Sequence, residues 1–146
     1  MNIYVNGLFF SADEQQILFV RKTHPDWQRG KLNGVGGHVE PGERPIQAMC
    51  REFEEETGYA QYAWTPFAVV KGTDWLCTFF RASHGTSLLS INFRDDLEEK
   101  CEIKHIKHLP VAEMIPNLNW LIPMAHPRSQ HDWPYHIEEN GPTEKF

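Results

Sequence analysis

Gly37–Tyr59 reads GHVEPGERPIQAMCREFEEETGY, and its second half is the most strongly specified helix in the chain. Pro45 suits the first helical position, where a missing N–H costs nothing. Gly58 suits the left-handed residue just past the end. The helix is therefore predicted over 45–57. Ile46, Met49, Cys50 and Phe53 recur at helical spacing and should face a core. Glu52, Glu55 and Glu56 stand at i, i+3 and i+4, so they project together from a different face. An acidic helix face by itself is usually just solvated. Like charges this close repel, however, and a cation among them would relieve the repulsion. Oxygen ligands favour a hard ion, Mg²⁺ or Mn²⁺, over zinc. Arg51 lies four residues before Glu55 and can orient a carboxylate without being a ligand.

Upstream, 3–10 (IYVNGLFF) and 16–21 (QILFVR) are rich in β-formers and flank the polar turn 11–15, predicting a hairpin. Residues 22–34, with Pro25 and Gly30, read as a loop. Around it, Arg21, Lys22, Arg29 and Lys31 oppose only Asp26. That basic segment is either a solvated loop or a phosphate-facing one, with Arg21 and Lys22 the candidate contacts. Trp27 within it either stacks on a base or covers the core edge. Downstream, 66–71, 75–82 and 101–108 read as strands, and 117–125 as a second helix bounded by Pro116. The tail, 127–146, holds Pro127, Pro134 and Pro142 and has no clear period. Its histidines, His126, His131 and His136, lack the spacing of a metal site. Strands alternating with two helices predict a layered α/β domain, with 1–146 as one domain.

With 146 residues and a net charge of −6, the chain has the size of an ordinary domain and an acidic surface. Such a surface repels phosphate polymers and anionic bilayers, which argues against a nucleic-acid or membrane binder. Three cysteines without paired spacing form neither a disulfide framework nor a zinc site. With no signal peptide in the opening residues, a cytoplasmic protein is expected, monomeric or homodimeric.

Gly37, Glu43, Arg51, Glu52, Phe53, Glu55, Glu56, Gly58 and Tyr59 fill every specified position of the Nudix box. Most are strict identities, so a chance match is rarer than roughly one in ten million. The chain thus resembles the Nudix hydrolase family. Asn33-Gly34-Val35-Gly36, Leu109-Pro110 and Trp120-Leu121-Ile122-Pro123 look like its branch that sanitises nucleoside triphosphates. The resemblance covers most of 3–126 and leaves 127–146 as an extension. It implies an α/β/α sandwich with a mixed central sheet and the box as loop–helix–loop. It also implies a metal-dependent pyrophosphohydrolase, with Mg²⁺ or Mn²⁺ held by Glu52, Glu55, Glu56 and the Gly37 carbonyl. Glu98 or Glu99, from an acidic loop that is otherwise simply solvated, would add a ligand or base. Glu52 is the first choice as general base, and Glu43 and Arg51 would hold the loop against the helix.

The expected substrate is a small nucleotide, foremost a nucleoside triphosphate. Two alternatives stand beside it: a dinucleotide polyphosphate or nucleotide sugar, and nucleotide sensing without cleavage. Branches taking the former often carry Pro or Tyr shortly after the box, where this chain has Thr73-Asp74-Trp75-Leu76. Sensing domains typically lose box carboxylates, and all are kept here. In relatives favouring oxidised purines, an asparagine and an acidic pair read the base. Asn33 occupies the first place, but Asn117-Leu118 stand at the second. An amide cannot share a proton as a carboxyl pair can. Weak or no preference for oxidised guanine is therefore expected, unless an acidic reader comes from the tail, for instance Asp132.

Overall fold

Two neighbouring strands open the chain: β1 (Asn2–Phe10) and β2 (Gln16–Arg21). They form the predicted hairpin, but their mutual pairing extends only through Phe9↔Leu18 and Phe10↔Ile17. Beyond that the strands part. β3 (Leu32–Asn33) pairs with β2, and β4 (Val35–His38) pairs with β1 from Tyr4 to Gly7. Part of the predicted loop 22–34 is thus strand, and 26–28 is a short 3-10 turn. The divergence matters because β3 and β4 lead straight into the Gly37–Tyr59 segment at the point where the sheet opens.

The computed structural model describes residues 1–139 and gives a mixed α/β architecture. β1 runs parallel to β6 (Trp75–Ser83), while β5 (Thr65–Lys71) lies antiparallel beside β6. β7 (Lys100–His105) flanks β2, antiparallel, and stops three residues before the predicted end, where 106–108 turn as 3-10. In the tail, a strand absent from the sequence reading, β8 (Tyr135–Glu138), runs parallel to β5. Four residues behind Pro134 are too few to show a period. The strand exists because β5 offers unpaired backbone groups for it to bond. Pro142 and its neighbours lie outside the described residues.

One helix covers each face of this mixed sheet. The box helix, α1 (Pro45–Thr57), sits on one face. Its Met49 and Phe53 are fully buried with Val5, Phe9, Leu18 and Phe80, while Ile46 and Cys50 pack at the margin. The second helix, α2 (Leu118–Met124), covers the other face, over Leu8, Phe67, Phe79 and Trp75. Trp27 and Trp120 pack against that second cluster. Alternation along β1 divides the two cores: Tyr4, Leu8 and Phe10 point one way, Val5 and Phe9 the other. No helix among the described residues is long and apolar enough to cross a membrane.

Helix α1 begins and ends where its local chemistry dictates. Gln47 accepts a hydrogen bond from the Arg44 backbone N–H at 2.8 Å, just ahead of Pro45. Gly58 closes the helix at φ 75°, donating to the Glu54 carbonyl. A side chain there would adopt the left-handed region, and its Cβ would lie 3.3 Å from that of Arg94. Gly58→Ala is therefore expected to cost about 1–2 kcal/mol. Urea denaturation measures this, and an unchanged midpoint would show that the left-handed cap carries no strain.

Candidate active site

The parting of β1 and β2 leaves a cleft of about 630 Å³. Its walls come from β1, β4, α1, the loop after β2 and the segment before β7. Of the residues singled out by sequence, Lys22, Asn33, Gly37, Glu52, Glu56 and Glu98 line it together. Sequence distance is no obstacle to this gathering, because β4 enters beside β1 and delivers Gly37 directly over α1.

Behind the cleft, Arg51 ties the box loop to the helix. Its Nε and Nη2 donate to the two Glu43 oxygens at 2.8 and 2.9 Å. Nη2 also donates to the His38 carbonyl at 3.0 Å, and Nη1 to Glu52 at 2.9 Å and Glu55 at 3.4 Å. Glu43 in turn accepts from the Glu40 backbone N–H. The Arg51 guanidinium and that amide hold the Glu43 carboxyl at about 2, well below the usual range. Such a bidentate arginine fixes direction as well as charge. It thereby aims Glu52 at Gly37. A Cβ on Gly37 would stand 2.5 Å from Glu52 Oε1, so only glycine lets the carboxylate approach this backbone.

Inside the cleft the carboxylates are destabilised. Burial raises Glu52, against the opposing pull of Arg51. Burial pushes Glu56 up to about 8; Lys22 lowers it, while Glu52 and Glu99 add repulsion. Glu56 accepts from the Gly36 backbone amide, yet its Oε2 is buried without a hydrogen-bond partner. A buried acceptor left unpaired normally costs about 1–3 kcal/mol, and more when it carries charge.

Glu55 is exposed and lies outside the lining, held by Arg51 at the helix edge. Among the described residues no three His, Cys, Asp or Glu side chains are gathered closely enough to hold a metal ion unaided. The reason is visible in the pairings. Arg51 draws Glu52 and Glu55 toward itself. Glu98 stands exposed at the rim, while its neighbour Glu99 is drawn inward to the loop after β2.

Three candidate substrate contacts are not brought to the cleft. Arg21 points to the far side of β2, where Glu102 takes it bidentately at 2.7 and 2.8 Å and Glu113 at 2.8 Å. With both carboxylates in place it has no free charge to offer a phosphate. Leu118 is fully buried in the core beneath α2. Asn117 is buried beside it, with its Oδ1 unpartnered. The acidic group that the tail brings to Asn117 is Glu139, not Asp132. Burial raises the Glu139 carboxyl and the Asn117 amide beside it opposes the rise. Asp132 is exposed, near His131 and the Tyr135 hydroxyl.

Beside Asn33, several lining groups escaped the sequence reading. Asn33 accepts from the Gly34 backbone N–H at 2.8 Å and from Asn6 Nδ2 at 3.2 Å, and donates to Gln28 Oε1 at 3.0 Å. All three side chains are buried on the cleft floor. The signal was present in β1: Asn6 is the one amide in IYVNGLFF, and a polar residue amid such a strand must be bonded. Tyr4 and His38 form an aromatic wall, with ring centroids 4.4 Å apart. Nothing local in the sequence pairs them; the β1–β4 register does.

Comparison with known proteins agrees with this architecture. A family model described as the NUDIX domain matches residues 3–129, ending ahead of β8. The MutT protein from Bacillus halodurans superposes with a TM-score of 0.67 at 21% identity, covering 84% of this chain and 80% of that one. A MutT NUDIX hydrolase from Burkholderia pseudomallei gives 0.71 at 19%, covering 86% and 98%. The NUDIX domain of Shewanella oneidensis NrtR, crystallised with ADP ribose, gives 0.65 at 17%, covering 86% of each. No curated protein sequence matches the chain.

Proposed function

The chain belongs to the NUDIX domain family and is a hydrolase of pyrophosphate bonds; on that premise we propose that it cleaves a nucleoside triphosphate to a monophosphate and pyrophosphate, using Mg²⁺ or Mn²⁺. The observation that carries this reading is the unpartnered Glu56 Oε2, buried in a cleft beside Glu52 and Gly37. An orphaned carboxylate oxygen and an all-oxygen donor set fit a hard divalent cation. Glu52, Glu56 and the Gly37 carbonyl would hold it, with Glu98 at the rim. When bound, the ion neutralises polyphosphate charge and acidifies a water.

The protein's own groups supply the rest. Arg51 and Glu43 hold the box loop on α1, so that Gly37 and Glu52 keep one relative position. Lys22 adds positive charge beside Glu56 and Glu99. Glu52, with its proton affinity raised by burial, takes the proton of the attacking water. Glu99 is a weaker base. Despite its burial, the Thr23 amide and Lys22 keep its carboxyl below the usual range.

The test is product release from a panel comprising dGTP, 8-oxo-dGTP, a dinucleotide polyphosphate and ADP-ribose. The last arm represents the alternative that the Shewanella domain's ligand suggests. Pyrophosphate release from a triphosphate is expected only with Mg²⁺ or Mn²⁺, rising toward alkaline pH. Full turnover in excess chelator, or an acidic optimum, would overturn the reading. Because neither Leu118 nor the Asn117–Glu139 pair lines the cleft, a kcat/KM ratio of 8-oxo-dGTP to dGTP near unity is the expected result.

A further inference from the structure

The loop after β2 binds an anion that belongs to the protein itself. Glu99 Oε2 accepts from the Thr23 backbone N–H at 2.8 Å, the His24 backbone N–H at 3.4 Å and the Thr23 hydroxyl at 3.3 Å. His24 Nδ1 stands 3.4 Å from the same oxygen, and Lys22 Nζ lies 3.1 Å from Oε1. The side chains of Glu99 and Lys22 are only 12% and 14% exposed. Two successive backbone amides, a hydroxyl and an ammonium converging on one point form a cradle for an oxyanion. The cradle and its occupant both line the cleft, which Gly37 and Glu52 also line.

The occupant conflicts with its surroundings. Glu99 adds negative charge near Glu56, which Glu99 itself helps to raise. A polyphosphate entering this cleft would meet that charge, while the donors best suited to it are already taken. We propose that the Thr23–His24 cradle is a phosphoryl-binding site and that Glu99 is its resident plug, displaced when a phosphate or pyrophosphate group takes the same donors. This rests on the nucleotide reading above and assigns to the loop after β2 a contact with the phosphates of the substrate. Lys22 serves either anion. The exchange substitutes one oxyanion for another on the same backbone amides, so no donor is left unpaired.

The experiment uses the full chain, ¹⁵N-labelled, in excess chelator, titrated with inorganic pyrophosphate. In the wild type the plug competes, and binding is expected to be weak. Glu99→Ala should bind pyrophosphate at least about tenfold more tightly, with the Thr23 and His24 amide resonances shifting along the titration. Glu98→Ala removes an equal charge from the same cleft without opening the cradle, and should gain no more than about twofold. Glu99→Gln keeps the shape and should fall between. It carries the test if the alanine variant does not fold. An equal gain in Glu98→Ala, or no gain in either Glu99 variant, would overturn the plug, as would a gain that leaves Thr23 and His24 unmoved. None of these outcomes depends on turnover. Loss of the gain with intact Mg²⁺-dependent hydrolysis removes the cradle alone, and the reverse removes the reaction alone.

Discussion

Replacing Glu56 with glutamine is expected to reduce turnover about a thousandfold or more while leaving the fold intact. The substitution preserves volume and one hydrogen-bonding oxygen but removes the charge that a cation at Oε2 would need. Losing one preorganised electrostatic contact at a reacting centre typically costs a factor of 10²–10³, and a metal ligand contributes at least as much. The same substitution should stabilise the metal-free protein at alkaline pH. Glu56 titrates near 8 in the fold against an ordinary value of 4.5. A raised carboxyl contributes stability while it is protonated in the fold. That contribution is complete below about 4.5 and is lost as pH rises toward 8. In chelator, wild-type stability should thus decline from pH 5 to 9, by an amount on the order of a few kcal/mol. The Glu56→Gln curve should be flatter over the same window. Melting curves across that range, paired with turnover in Mg²⁺, measure both effects. A variant that keeps near wild-type rate would remove Glu56 from the centre of the site.

The second large effect lies outside the cleft. Arg81 is 6% exposed on β6, where two parallel bonds of 2.8 and 2.7 Å join it to Glu14 in the β1–β2 turn. It also donates to the Ala125 carbonyl at the end of α2, and its guanidinium lies 4.8 Å over the Phe10 ring. One side chain therefore ties the hairpin turn, the central sheet and the second helix together. Glu14→Ala leaves that guanidinium buried without its carboxylate, which should cost about 3–5 kcal/mol. Glu14 itself sits at φ 63°, so Glu14→Gly should be milder than Glu14→Ala by about 1 kcal/mol. Replacing both partners, Glu14→Leu with Arg81→Met, should recover much of the loss, because no charge then stays buried alone. Chemical denaturation of the four proteins decides the matter. A Glu14→Ala midpoint equal to wild type would show that solvent reaches Arg81 in solution.

What the sequence determined by itself is local. Pro45, the apolar period through Phe53 and Gly58 set the ends of α1 and place Glu52 and Glu56 on one side of it. Each of those relations spans four residues or fewer, and helix geometry allows no other outcome. The hairpin and the strands β5 and β6 follow from runs of β-formers between turn residues in the same way. Tertiary structure decided where charge and polarity are spent across long separations. Arg21 and Lys22 are adjacent and look equivalent in a basic loop, yet Arg21 ends β2 and Lys22 opens the loop that follows it. One is consumed by Glu102 and Glu113, and the other reaches the cleft. Glu98 and Glu99 divide likewise, the first at the rim and the second locked onto the Thr23 amide 76 residues away. Leu118 enters the core because α2 must bury a face on the sheet. β8 exists only because β5 leaves an edge for it to pair. Pairings of this kind are chosen by competition among distant partners for the same hydrogen bonds and the same dry volume, and no window of neighbouring residues contains that competition.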